Sequence, residues 1–428
     1  MKKNAVISFT ENKNITAEIF LTGSKSESNR ALIISALSGN HVQVNNLSDA
    51  ADTVVLANVL KSIEGEALSN DVLSINIGHA GTAMRFLTAY LSTLSGSFYL
   101  TGSERMKERP IKLLVNSLRS IGANIEYADN DGFPPLRIQG PLKQVARKVK
   151  IRGDVSSQYL SGLLIIAPSL PMGLSLEIEG DLTSRPYVEM TLAMLAEAGI
   201  SYCWKKNLIE ISNQTFSKAN LIIEPDWSAA SYWYSIAALS GNSSISLPNL
   251  KQKSLQGDSH VSTVMEMFGV YTDWRSTGIS LSRSVGESRE DDKETPSSIP
   301  LNLKNCPDLA QTIIVCAAAK GIEMSFTGLE TLKIKETNRV LALQNELSKF
   351  GVLLHEENEV YTLDCKNLNF PEHVFIKTYD DHRMAMAFAP LAFYVDRLEI
   401  EDYNVVEKSY PDYWLDLQKA GFNIKELN

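Results

Sequence analysis

Six times along this chain, apolar residues at helical spacing run up to a glycine and then into a short alternating segment. The first copy runs from Val55 through Ile63 to Gly65, the second has Ile111, Leu114, Leu118 and Ile121 before Gly122, and the third has Val188, Leu192 and Leu195 before Gly199. Val261, Val264 and Phe268 lead to Gly269; Val340, Leu343, Leu347 and Phe350 lead to Gly351; Trp414 and Leu417 lead to Gly421. Such spacing gives each helix one apolar face. The closing glycine suits a left-handed cap, where a Cβ would be costly. Segments such as Ile200-Ser201-Tyr202-Cys203-Trp204 then alternate apolar and polar, as strands do. Successive glycines lie about 57 to 82 residues apart, too far for a solenoid repeat. The chain is therefore α/β (α+β), filled by six units of roughly 70 residues, where a single α/β barrel would need shorter ones. At 428 residues one core is not expected, because cores stop growing beyond about 250–300 residues. The units fall three on each side of Ile223-Glu224-Pro225-Asp226, which reads as a crossover between two domains. Ser284 to Ser298, charged and nearly free of apolar residues, reads as a solvated loop.

A formal net charge of −9 argues against nucleic acid as a partner, so any anionic ligand must be met by a local cluster of cations. The cysteines Cys203, Cys306, Cys316 and Cys365 form no C-x-x-C pair, and the expectation is a reduced, cytoplasmic setting. The start of the chain has two lysines but too short an apolar stretch for a signal peptide, and the longest apolar run, Met384 to Val395, is too short to span a bilayer. The six histidines show no metal-binding spacing, so no metal is expected.

Lys335-Glu336-Thr337-Asn338-Arg339 places two like charges four apart at the expected start of the fifth helix. That spacing costs a few tenths of a kcal/mol. A helix start that gathers cations suits an anion, because its free N–H groups and dipole already favour one. Asp381-His382-Arg383-Met384-Ala385-Met386 repeats the design. Gly23-Ser24-Lys25-Ser26 with Asn29-Arg30 precedes the apolar Ala31-Leu32-Ile33-Ile34; the spacing is not that of a Walker A loop, and by itself it reads as a serine cap with two surface cations. His79-Ala80-Gly81-Thr82-Ala83-Met84-Arg85 precedes a helix through Phe86, Leu87 and Tyr90, and Gly81 would let a ligand approach the backbone closely. Arg105-Met106-Lys107-Glu108-Arg109-Pro110 holds three cations, ordinarily a solvated face, and Pro110 fits a first helical turn. Ser156, Ser157 and Gln158, like Thr183 and Ser184, offer hydroxyls and an amide at helix starts, most often as caps. Asp308 opens the apolar helix Leu309 to Ala319, where an acid is stabilising and its pKa depressed; it would be ionised there, though a weak base. Lys408 adds a cation before the last helix. What shifts the balance is recurrence in both halves: Lys25, Arg85, Arg109, Ser156 and Ser184 in one, Lys335, Arg339, Arg383 and Lys408 in the other. Ligand clefts favour domain interfaces, and two facing sets of helix starts would close on an anion.

At these residues the chain resembles the 5-enolpyruvylshikimate-3-phosphate synthase family, whose motifs are matched in order along essentially the whole chain, from Gly23-Ser24-Lys25-Ser26 to Lys408 with Pro411-Asp412-Tyr413. The resemblance implies two similar domains, each of three βαβαββ units about a pseudo-threefold axis, with the active site in the interdomain cleft. It places residues 1–21 with 226–428 in one domain and 22–225 in the other. It implies transfer of the enolpyruvyl group of phosphoenolpyruvate to the 5-hydroxyl of shikimate 3-phosphate, in the shikimate pathway to chorismate and the aromatic amino acids. No cofactor is implied, and the expectation is a monomer without membrane or nucleic-acid partners. Carried over by position, Lys25, Arg109, Arg339, Arg383 and Lys408 would contact phosphoenolpyruvate, with Gly81 and Gln158 beside it. Ser26, Arg30, Ser156, Ser157, Ser184, Tyr187, Asp308 and Lys335 would hold shikimate 3-phosphate, and Thr331 joins the substrate residues where many relatives carry Asn. Asp308 would take the hydroxyl proton, Glu336 would protonate the methylene carbon, and Lys25 is the other candidate in that traffic.

The chain departs from the family pattern at His79 and Phe86, where Asn and Pro are usual, and at Pro225-Asp226-Trp227-Ser228-Ala229, which replaces Gly-Asp-x-Ser-Ser. Two other readings stand beside this one. The related transferase acting on UDP-N-acetylglucosamine usually carries a Cys on the loop matching Arg105–Arg109, whereas here no Cys precedes Cys203. A non-catalytic anion-binding protein of the same fold would be expected to have lost Lys25, Asp308, Glu336 or Arg383, and all four are present.

Overall fold

The computed structural model describes residues 3–10, 12–65, 71–283 and 299–427; the loop read from Ser284 to Ser298 lies outside them. The chain forms two compact units, Met1–Thr22 with Pro225–Asn428, and Gly23–Glu224. Each unit carries its own apolar core.

Within the Gly23–Glu224 unit, the order strand Val72–Asn76, helix Gly81–Leu91, strand Gly96–Thr101, helix Lys112–Ser120, strand Asn124–Tyr127, strand Leu136–Gly140 is a complete βαβαββ unit. The run from Lys148–Arg152 to Leu208–Ile211 repeats it. In both, the first two strands pair in parallel and the closing hairpin is antiparallel. The third unit is assembled from both ends of the segment, where Ala219–Ile222 pairs in parallel with Val42–Asn45. The other domain follows the same plan. Its sheets borrow Ile15–Glu18 beside Ser243–Pro248 and Asn4–Ser8 between Arg397–Ile400 and Asn423–Leu427, so the first residues of the chain complete two of its three units.

Each unit supplies one inner and one outer helix, and their sequences differ accordingly. Four of the inner helices are buried nearly all round: every residue of Gly81–Leu91, Ala310–Ala319 and His382–Phe388 is buried, and so is all of Trp227–Leu239 except Ser228, whereas Lys25–Leu37 is buried along only part of its surface. A helix apolar on every side must be covered on every side. The inner helices Lys25–Leu37, Gly81–Leu91 and Ser157–Ile166 pack on one another in pairs, and so do Trp227–Leu239, Ala310–Ala319 and His382–Phe388.

The outer helices carry the periodic pattern and its glycine stops. Gly122, Gly199, Gly269, Gly351 and Gly421 all have positive φ, between 72° and 109°. The residue after each glycine donates back into the last helical turn, as from Ile200 N to the Leu195 carbonyl at 2.9 Å and from Val352 N to the Leu347 carbonyl at 3.2 Å. This corrects one expected strand. Ile200 is used in closing its helix, so the strand begins at Cys203 and spans Cys203–Lys205. The fourth helix is also not continuous: Gly257–His260 and Met265–Phe268 are 3-10 turns around a single α-turn, Val261–Val264. Val261, Thr263 and Val264 are β-branched, which weakens an α-helix.

Leu87 sits fully buried in an inner helix. Leu87→Ala should lower stability by about 2–5 kcal/mol in urea unfolding; a loss below about 1 kcal/mol would mean that this helix is not packed on all sides.

Candidate active site

The candidate residues lie at the starts of helices and in the turns beside them. In the domain containing Pro225–Asn428, Arg383 on the first turn of His382–Phe388 reaches both of its inner neighbours. Its Nη2 lies 2.9 Å from Asp308 Oδ2, its Nη1 donates to the Asp308 carbonyl at 3.0 Å, and Nη2 also donates to Ser228 Oγ at 3.3 Å. Asp308 stands in the 3-10 turn Pro307–Leu309 that leads into Ala310–Ala319, a tighter start than the α-turn expected. Ser228 lies on the first turn of Trp227–Leu239, capped by Asp226, which accepts from Ala229 N at 3.1 Å.

Arg339 is the hub of this cluster and is 2% exposed. Its Nε meets Asp381 Oδ2 at 2.7 Å, its Nη1 meets Asp308 Oδ1 at 3.1 Å and its Nη2 meets Glu336 Oε2 at 3.0 Å. Glu336 Oε1 in turn accepts from Lys408 Nζ at 2.9 Å. The helix begins at Arg339 with Asn338 as its cap, so Lys335 is not in its first turn; it closes the 3-10 turn Glu330–Ile334, which also carries half-buried Thr331. Asn338 explains this, since its side chain accepts from Leu341 N at 3.2 Å and thereby fixes where the helix starts. The Lys335–Arg339 spacing is thus a turn followed by a helix.

These charges set one another's ionisation. Burial raises the carboxyl of Asp308, but Arg383, Lys335 and Arg339 outweigh it and hold the group well below the usual carboxylate range. Burial likewise disfavours charge on Arg339, and Asp381, Glu336 and Asp308 more than reverse that, so its pKa is raised. Burial pushes the Tyr232 phenol up to about 12 against the pull of Arg383, leaving a neutral hydroxyl to accept from Arg383 Nη1 at 3.3 Å.

In the Gly23–Glu224 unit, Ser24 caps Lys25–Leu37, and Lys25 Nζ lies 3.4 Å from Asp52 Oδ2. Arg30 is 2% exposed and braces the unit from within. Its Nε donates to Thr191 Oγ1 at 2.8 Å, its Nη1 to the Ser26 carbonyl at 2.9 Å, and its Nη2 to Ser161 Oγ at 3.1 Å and the Tyr187 carbonyl at 3.2 Å. Its guanidinium also lies over the Phe86 ring, 5.4 Å from the centroid, which gives that departure from the family pattern a contact of its own. Burial brings its pKa down to about 10, opposed by Tyr187 and Glu27.

Gly81 opens Gly81–Leu91 with Arg109 against it; a Cβ there would come 2.6 Å from Arg109 Nη1. Arg85 is buried and ties Gly81 to Pro110, donating to their carbonyls at 3.2 and 3.1 Å. Pro110 lies two residues before the helix Lys112–Ser120, just outside the turn expected for it. Ser156 caps the helix that begins at Ser157, and Gln158 Nε2 donates to Thr82 Oγ1 at 3.0 Å. Ser184 takes a left-handed backbone, φ 53°, and its side chain makes no cap. Half-buried Tyr187 follows in the same helix start. His79 is exposed and its Nδ1 is 3.0 Å from Ser103 Oγ.

Asp52, Ser228, Asp258 and Asp381 join these groups without being among the residues expected from the sequence to serve the site. Asp381 was visible as a cap before His382, since its Oδ1 accepts from Arg383 N at 2.9 Å. The others carry no local signal, because each matters through a partner far away in the chain. Among the described residues no group of three or more His, Cys, Asp or Glu is placed to hold a metal ion, and no helix is long and apolar enough to cross a membrane.

Chemically, this is a set of cations held ready by the protein's own carboxylates, with one strongly ionised acid, Asp308, at their centre. Asp381→Asn keeps the shape of the cap but removes a buried charge from Arg339. It should cost about 3–5 kcal/mol in urea unfolding; a loss under about 1 kcal/mol would show that Arg339 does not depend on this pair.

Residues 9–417 match the family model for EPSP synthase (3-phosphoshikimate 1-carboxyvinyltransferase). A 3-phosphoshikimate 1-carboxyvinyltransferase of Bacteroides fragilis is 46% identical over 413 residues, covering 96% of this chain and 97% of the relative. One from Mannheimia haemolytica is 34% identical over 441 residues, covering 97% and 99%. A solved EPSP synthase from Acinetobacter baumannii shares the fold, with a TM-score of 0.75 at 18% identity over 100% of both chains.

Proposed function

This chain belongs to the EPSP synthase family, and from that premise we propose that it transfers the enolpyruvyl group of phosphoenolpyruvate to the 5-hydroxyl of shikimate 3-phosphate, releasing phosphate. The observation that carries the reading is Asp308, an ionised carboxylate fixed between Arg383 and Arg339 where three helices start. In this reading Asp308 takes the proton of the attacking hydroxyl. Its depressed pKa makes it a weak base, so positioning has to supply what basicity does not. Glu336, ion-paired with Lys408 and Arg339 in the structure, takes up a proton from solvent when phosphoenolpyruvate engages those cations and passes it to the methylene carbon. That creates positive character at the neighbouring carbon, the hydroxyl oxygen bonds to it, and the tetrahedral adduct then loses phosphate from that carbon and a proton from the new methyl group, which restores the methylene of the transferred enolpyruvyl group. Lys25 is the further candidate in the proton traffic.

Arg339, Arg383 and Lys408 would meet the charges of phosphoenolpyruvate, with Lys25, Arg109, Gly81 and Gln158 serving the same substrate. Ser26, Ser156, Ser157, Ser184, Tyr187, Lys335 and Thr331 would hold shikimate 3-phosphate, and Arg30 would fix the Ser26 and Tyr187 backbones for that task. Both sets of residues serve one reaction, carried out by a monomer in the cytoplasm without a cofactor. Fixed cations in a dry site stabilise developing charge without reorganising.

Phosphate release from phosphoenolpyruvate should depend on shikimate 3-phosphate and not on UDP-N-acetylglucosamine; dependence on the nucleotide sugar would overturn the acceptor. Asp308→Ala should keep the fold and cut turnover by at least about a hundredfold. Near-normal turnover would remove Asp308 from its role. Lys408→Ala should weaken phosphoenolpyruvate binding more than shikimate 3-phosphate binding in titration calorimetry, and equal effects would misplace the lysine.

A further inference from the structure

Asp258 belongs to none of the residue sets described above. It lies in the turn Gly257–His260 and is 2% exposed. Gln256 pins that turn to the start of Trp227–Leu239, accepting from Trp227 N at 2.8 Å and donating to the Pro225 carbonyl at 2.9 Å. Asp258 Oδ2 accepts the Ser228 hydroxyl, while its Oδ1 has no hydrogen-bond partner among the described residues. Ser228 Oγ also accepts from Arg383 Nη2, the nitrogen that lies 2.9 Å from Asp308 Oδ2. One guanidinium nitrogen is therefore shared by two acids, by Asp308 directly and by Asp258 through a single hydroxyl.

We propose that Asp258 is a positioning residue for the transfer reaction: through Ser228 it competes with Asp308 for Arg383, and so sets both the strength of Asp308 as a base and the freedom of Arg383 to meet phosphoenolpyruvate. The inference rests on the reading of Asp308 as the base. A carboxylate that loses part of its cationic field binds a proton more tightly and becomes a better base.

The charged and titratable groups around Asp258 come from three elements: Asp226 at the cap of Trp227–Leu239, Cys306 and Asp308 at the 3-10 turn, and Arg383 on His382–Phe388; His260 shares its own turn. Burial pushes the Asp258 carboxyl up to about 7, with Asp308 and Asp226 adding to the rise and Arg383 and Ser228 opposing it. The Cys306 thiol is pushed up to about 12, chiefly by burial, and stays neutral in this range. The sign follows. Asp258 has a raised folded pKa, so its contribution to stability is present at low pH and is lost as pH rises through about 7. On the alkaline side the folded protein holds a second negative charge near Asp308, and the base is strengthened there.

The test is the pH dependence of phosphate release by the full chain and by Asp258→Asn, from about pH 5.5 to 9 around the ordinary range of perturbed carboxylates. The parent protein should show a rising limb in kcat near neutrality. Asp258→Asn should lose that limb, matching the parent at low pH and falling about tenfold below it at the alkaline end, and Asp258→Glu should restore it. Superimposable profiles, or a loss by the same factor at every pH, would overturn the inference. If Asp258→Asn does not fold, Ser228→Ala must flatten the same limb, and failure to do so counts equally against the proposal. Asp308→Asn, measured in parallel, separates the two readings. Near-normal turnover there removes the base itself; a crippled Asp308→Asn alongside an unchanged Asp258→Asn profile overturns only the role given to Asp258.

Discussion

The rest of this molecule depends on helices that are buried on all sides. Every residue of Gly81–Leu91, Ala310–Ala319 and His382–Phe388 is buried, and each of these helices packs on two inner partners in its own domain. Packing three such helices on one another gathers their starting residues. Unsatisfied N–H groups, caps and the polar residues of the first turns are then brought together as well. The site is in this sense a by-product of how the core is closed. One arginine ties each set of three: Arg383 bonds Asp308 and Ser228 in one domain, and Arg30 bonds Ser161 and lies over Phe86 in the other.

Collecting cations in a protein interior is unfavourable unless they are paired. Here the pairing is internal. Arg339 meets Asp381, Asp308 and Glu336, Arg383 meets Asp308, Lys408 meets Glu336, and Lys25 meets Asp52. In the proposed function, an anionic substrate exchanges with the carboxylates that already hold these cations. The same arrangement explains why Asp308 is so acidic and why a second buried acid beside Arg383 can influence it.

The outer helices were legible in the sequence because they are amphipathic and stop at glycines, as Gly199 and Gly351 illustrate with φ of 86° and 72°. The repeat followed from them. The inner helices have no periodicity to read, and they were found through the polar residues at their starts, such as Lys25, Gly81 and Asp308. Errors arose where local bonds override pattern. Ile200 closes a helix instead of extending a strand, and Asn338 delays a helix past Lys335. Contacts between distant segments, such as Asp258 with Ser228 or Lys25 with Asp52, leave no local trace and had to come from the structure.

The central claim of the proposed function is that helix starts and turns of each domain serve the same substrate pair. Amide hydrogen exchange of the protein alone and with shikimate 3-phosphate and phosphoenolpyruvate present tests it most directly. The account predicts that the substrates protect residues 25–30, 81–85 and 156–158 in one domain together with 335–339 and 381–383 in the other. Protection confined to one domain, or lying away from these helix starts, would contradict it.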